Sequence, residues 1–165
     1  MSPLEQAIIT WIHLISAAIW VGGSLFIGVV FSPLLKTLSN SIEERLQIMI
    51  KVGKRFNKIA IPSLIILMGT GLYNSHMLLS KPELLLGTSY GTYLSIKIIL
   101  VIVLIITYVI HVRVIRKDVE QKIMDKQLTQ EQIQKLRKKI IILGEITVVI
   151  SITILFFASL LDAGV

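Results

Sequence analysis

The sequence predicts an all-α transmembrane fold: an up-down-up-down bundle of four helices with cytoplasmic helix extensions. Three observations predict it. Hydrophobic residues make up 54% of the 165-residue chain, and the mean hydropathy is +0.80. Charged residues are only 16%, against about 25% in a soluble domain. The charges are also segregated. No Asp, Glu, Lys or Arg lies between Glu5 and Lys36 or from Ile59 to Ser80. Two further apolar segments, from about Tyr90 to Val112 and from Ile140 to Leu161, are interrupted only by Lys97 and Glu145. Each segment is long enough to cross roughly 30 Å of hydrocarbon as a helix, where open strands would leave their hydrogen bonds unmade. Residues 1–165 therefore read as a single four-helix membrane domain, with spans at about 7–31, 57–80, 90–113 and 140–161. Composition excludes a water-soluble globular enzyme. The absence of cysteine excludes disulfides, thiolate metal sites and cysteine nucleophiles.

The first span lacks a basic leader and its apolar run exceeds that of a signal peptide, so it reads as a retained helix. Pro33 is expected to end or bend it, and Pro62 to kink the second helix. Pro82 helps end the second helix on the outer side. Ser16, Ala17, Ala18, Gly22, Gly23 and Ser24 give the first helix a face on which a neighbouring backbone can approach. The polar connections are themselves helical. Ser41 with Glu44, and Thr129 with Gln132, have the spacing of capping boxes. Ile42, Leu46, Met49 and Ile50 form a stripe at helical period. Ile115, Val119 and Ile123 continue the third helix in the same way, and Ile133, Leu136 and Ile140 lead into the fourth.

Charge placement predicts orientation. Of the 17 Lys and Arg residues, Lys36, Arg45, Lys51, Lys54, Arg55 and Lys58 lie between the first two spans. Arg113, Arg116, Lys117, Lys122, Lys126, Lys135, Arg137, Lys138 and Lys139 lie between the last two. The positive-inside rule puts both connections in the cytoplasm and both termini outside, in the cell (plasma) membrane. The net charge of +7 thus reads as topology and contact with anionic lipid, not as a nucleic-acid surface. The lipid bilayer is the expected partner, and a membrane-protein partner or a homo-oligomer is compatible with it.

Few ionisable groups lie within the spans, and such groups usually face the bundle interior or a cavity. Helical rise sorts them into two layers. The outer layer holds His13, His76 and Lys97, closed by Asp162. The inner layer holds His111 and Glu145, expected to face each other from adjacent helices. Lys97 alone has a bland account in snorkelling, and His111 one as an interfacial residue. His13 is harder to explain that way, because it shares the small-residue face with Ala17, Trp20 and Ser24. The outer layer is expected to converge on one cavity. Two chemistries suit it. Imidazoles with a thioether, from Met68 or Met77, bind copper. Alternatively, His13 and His76 ligate one haem iron from both faces, with Trp20, Phe26 and the glycines lining the macrocycle and Lys97 pairing with a propionate. No nucleotide-binding loop or hydrolase triad is present.

Certain motifs carry a family resemblance. Trp11–His13 followed by Ile19-Trp20-Val21-Gly22-Gly23 resembles the first helix of copper-resistance D (CopD-type) membrane domains. Arg55-Phe56, Ile59-Ala60 and Thr70-Gly71-Leu72-Tyr73-Asn74 resemble the second block of that family. Thr88-Ser89-Tyr90-Gly91 with Leu94, Lys97 and Leu100 resembles the third, and together the blocks cover roughly residues 7–115. The resemblance implies copper handling or uptake across the membrane. More distantly, His13, Pro62 and Lys97 resemble the pattern of HemJ-type protoporphyrinogen oxidases, although Ser32-Pro33-Leu34 stands where that family has Pro-Arg-Leu. That likeness implies haem b and a membrane oxidoreductase. Three readings stand at this stage: a copper-handling protein with His13 and His76 as ligands, a haem b redox protein or enzyme on the same residues, and a cofactor-free subunit of a membrane complex.

Overall fold

A computed structural model describes residues 2–80, 82–115, 117–125 and 127–164. Helix α1 (Pro3–Leu25) starts at a Ser2/Glu5 capping box and runs through a π-helical stretch, Phe26–Phe31, into α2 (Ser32–Leu38). The long helix α3 (Ile42–Leu79) follows, then the short α4 (Pro82–Gly87), α5 (Ser89–Val114), α6 (Lys117–Met124) and α7 (Gln130–Ala163). Among the described residues there is no strand. Four helices are long and apolar enough to cross a membrane: Pro3–Leu38, Ile42–His76, Ser89–Val114 and Gln130–Ala163. The protein is an all-α membrane helix bundle.

The three prolines sit differently in their helices. Pro33 does not end the first helix, because it sits in the first turn of α2, where its missing N–H is tolerated. The chain adjusts just before it by widening to a π-helix, whose Ser32 N–H reaches the Ile27 carbonyl. Pro62 lies inside α3, which continues past it. Pro82 opens the short helix α4, three residues past the end of α3.

The expected extensions form, with two corrections. α5 breaks at Ile115 (φ −101°, ψ 41°), so Val119 and Ile123 belong to the separate helix α6. The Thr129/Gln132 box is complete, but the Ser41 box is half formed. Glu44 turns its carboxylate to Ser39 Oγ at 2.5 Å instead of to the Ser41 backbone. Leu46, Ile50, Ile123, Ile133 and Ile140 then bury one another, and Lys54 pairs with Glu120 across α3 and α6. At the far end of α7, Gly164 takes the left-handed conformation (φ 71°) that closes the helix.

The membrane portion consists of two antiparallel hairpins. α1 packs along α3 and α5 along α7, and α7 also touches α1 and α3. Outward-facing positions are apolar: Leu14, Ile65, Ile99 and Val149 are all about 60% exposed. Such a surface needs hydrocarbon as its solvent. The hairpins meet in a buried belt of Trp20, Val21, Ala60, Leu64 and Leu104. There the indole N–H of Trp20 donates to Ser151 Oγ at 3.0 Å, and Ser151 donates to the Thr147 carbonyl at 2.8 Å. Tyr108 meets the Trp20 ring edge-on at a centroid distance of 4.8 Å and donates its hydroxyl to Asn57 at 2.8 Å.

Gly23 packs tightly against α3: a Cβ there would overlap Phe56 Cε2. Gly23→Ala is therefore expected to destabilise the detergent-solubilised protein by roughly 1–3 kcal/mol, the usual cost of overpacking. Phe56→Leu in the Gly23→Ala background should recover part of the loss. Unchanged unfolding of Gly23→Ala would show that the contact does not set the α1–α3 distance.

Candidate functional site

Two cavities lie along the bundle, one on each side of the Trp20 belt. The first, about 360 Å³, opens toward the end that carries both termini. All four long helices line it, and His13, Trp20, Met68, Ser75, Lys97 and Ser151 supply the polar, aromatic or sulfur groups in a mostly apolar wall.

His13 is anchored through one ring nitrogen. Its Nδ1 lies 2.7 Å from Thr70 Oγ1. The Thr70 hydroxyl also lies 2.6 Å from the Ile66 carbonyl, one turn earlier on α3. When Thr70 donates to that carbonyl it accepts from Nδ1, and Nε2 then carries the free lone pair. The His13 ring lies beside Gly71, where a Cβ would sit 3.6 Å from Cε1, at ordinary van der Waals distance. Lys97, on α5, lines the same cavity and has no carboxylate partner among the described residues.

Of the three groups expected to converge, the structure brings together His13 and Lys97, with Trp20 beside them. His76 stands outside. It is exposed, its Nδ1 lies 2.7 Å from the Tyr73 carbonyl, and its ring tilts over the Tyr73 ring. The reason is rotational: Ser75 faces the cavity, and the next residue is turned about 100° away. The two imidazoles therefore do not face each other across a slot, and the residues present do not supply a bis-histidine haem site. The Met77 side chain lies outside the described residues. Met68 is in the cavity wall, and Asp162 is exposed at the end of α7 without lining it.

The second cavity, about 270 Å³, lies toward the end that carries the basic helical extensions. His111 and Glu145 both line it, together with Met49, Asn57 and Tyr108. Glu145 is exposed on α7, and His111 is half-buried against α7, its Cε1 3.6 Å from where a Gly144 Cβ would be.

Sequence reasoning missed Thr70 as the partner of His13. The signal for it was available, since a threonine beside Gly71 sits at a height matching that of His13 on the neighbouring antiparallel helix. It also missed the division of the polar groups by an aromatic pair.

No solved structure matches this chain. An uncharacterised protein of Aquifex aeolicus (strain VF5) is 38% identical over 69 residues, which is 41% of this chain and 46% of that protein. The match thus covers less than half the length of that relative. The family model for Copper resistance protein D matches residues 50–161, which takes in most of α3, all of α5 and nearly all of α7. It reaches further along the chain than the motifs near residues 7–115 and leaves α1 out. With more than half of its residues matched, the chain belongs to the copper-resistance D family of membrane proteins.

Proposed function

We propose that this protein handles copper as the cuprous ion, in the cavity at the termini end, with His13 Nε2 as the primary ligand and Met68 as the soft second ligand. The observation that carries the reading is the His13–Thr70 hydrogen bond, which occupies Nδ1 and leaves Nε2 as the ring nitrogen open to a ligand, in a cavity wall shared with a thioether. Among the described residues no three His, Cys, Asp or Glu side chains gather. The site is thus poor in hard ligands, which disfavours magnesium, calcium or zinc cages and suits cuprous copper. Copper is here a cargo. Family membership supports that role. The proposed orientation puts both termini outside, so the site faces the non-cytoplasmic side, because 15 of the 17 Lys and Arg flank the other ends of the spans.

Lys97 gives the reading its sharpest test. An ammonium beside a bound cation weakens binding, by an amount that is large at the effective dielectric of a protein site. This suits a site that releases its cargo. Lys97→Gln is therefore expected to tighten cuprous-ion binding by roughly tenfold or more, measured by competition with a cuprous chelator. An anionic occupant would show the reverse, and weaker copper binding by Lys97→Gln would overturn the copper reading. His13→Ala should abolish binding at this site. Thr70→Val, which removes the hydroxyl that orients the ring, should weaken it by roughly 10–100-fold.

For orientation, a reporter fused after Val165 should be active only when it lies outside the cytoplasm. Cytoplasmic activity of that fusion would invert the proposed topology.

A further inference from the structure

We propose that the cavity at the basic end is a second cuprous-ion site, with His111 and Met49 as its ligands and the Glu145 carboxylate in its wall. This inference rests on the copper reading for the identity of the ion, but on different residues for the site.

The two cavities are built alike. Each is lined by all the long helices, and no residue lines both. Each holds one imidazole and one thioether: His13 with Met68, and His111 with Met49. Each imidazole is carried by the first helix of a hairpin and lies against a glycine of the second. In both cases the ring Cε1 sits 3.6 Å from where the glycine Cβ would be, at Gly71 for His13 and at Gly144 for His111. The His13 ring is bonded through Nδ1 to Thr70, and a neutral imidazole at either position has one ring nitrogen with a lone pair for a metal.

Glu145 adds what the first cavity lacks. It lines the second cavity, has no ion pair among the described residues, and lies six positions, about 9 Å of helix, beyond Lys139. A carboxylate at that depth is costly to leave without a cation. Side chains on a helix lean toward its N-terminus, which here places the carboxylate on the side of the basic extensions. The carboxylate therefore offers a cation leaving or entering the cavity a compensating charge. Between the two cavities stand only the Trp20–Tyr108 pair and the belt around it, so the sites lie in line along the bundle axis.

The test is a stoichiometry. Silver(I) serves as a redox-stable stand-in for the cuprous ion, titrated into the full-length protein in detergent by equilibrium dialysis. Wild type should bind two equivalents, His111→Ala one, His13→Ala one, and the double variant none. Met49→Leu, which preserves volume, should weaken the second equivalent by at least tenfold without changing the unfolding temperature of the metal-free protein. It thereby separates ligand loss from misfolding. Glu145→Gln should weaken the same equivalent and leave the first untouched. If wild type binds one equivalent that His13→Ala loses and His111→Ala keeps, the second site is overturned while the proposed function stands. If the single equivalent is lost only in His111→Ala, the second site stands and the His13 site falls. If neither variant changes the stoichiometry, both fall.

Discussion

The indole N–H of Trp20 is the constraint around which the bundle is organised. A donor in hydrocarbon has no water to turn to, and leaving it unpaired costs several kcal/mol. Ser151 answers it from α7, and the Ser151 hydroxyl is itself answered by the Thr147 carbonyl. That pair of bonds fixes α1 and α7 at one relative height. Tyr108 then rests its edge on the Trp20 ring from α5, and Asn57 of α3 accepts its hydroxyl. Helices in lipid gain little from apolar burial against one another, so close packing and interhelical hydrogen bonds set their register. Here all four spans are registered in one layer. No buried polar side-chain atom among the described residues is left without a partner.

Because the layer lies part-way along the bundle, it divides the interior space. Small residues on α1 and the glycines of α3 and α7 keep the hairpins from filling that space, and the belt keeps the two cavities from joining. Under the copper reading, passage between the cavities requires Tyr108 or Trp20 to turn aside and give up its hydrogen bond, a cost of several kcal/mol in hydrocarbon.

The four spans were legible in the sequence because the bilayer imposes a length and a composition that a hydropathy pattern records directly. The stripes of Leu46 and Ile50, Ile123, and Ile133 and Ile140 were legible for a similar reason, since they must bury their apolar face on one another. Depth was legible too: helical rise placed His13 and Lys97 at one height and His111 and Glu145 at another. Rotation was not. Ser75 and His76 have nearly the same height, and only one of them faces the cavity, because the facing side is chosen by contacts between helices that no local pattern encodes. The widening at Phe26–Phe31 was hidden for a related reason. Proline announces a disturbance, but whether the chain ends, bends or widens depends on what the neighbouring helix permits.

The two cavities differ in one respect that bears on direction. The first contains Lys97 without a counter-ion and the second contains Glu145 without one, among the described residues. In a low-dielectric interior a single charge shifts the affinity for a cation far more than it would in water. Under the copper reading the first cavity is therefore the weaker resting place for the ion and the second the stronger, since the proposed imidazole and thioether ligands are matched. Lys97 and Glu145 lie on opposite sides of the belt, so their fields act in the same sense along the bundle axis. The basic extensions oppose that sense at the far end, but they lie where water, anionic lipid and salt screen them within about 10 Å. Under the copper reading, the interior charges thus favour movement from the termini end toward the basic end. Under the proposed topology, the exposed lysines and arginines act on orientation and leave the interior bias intact.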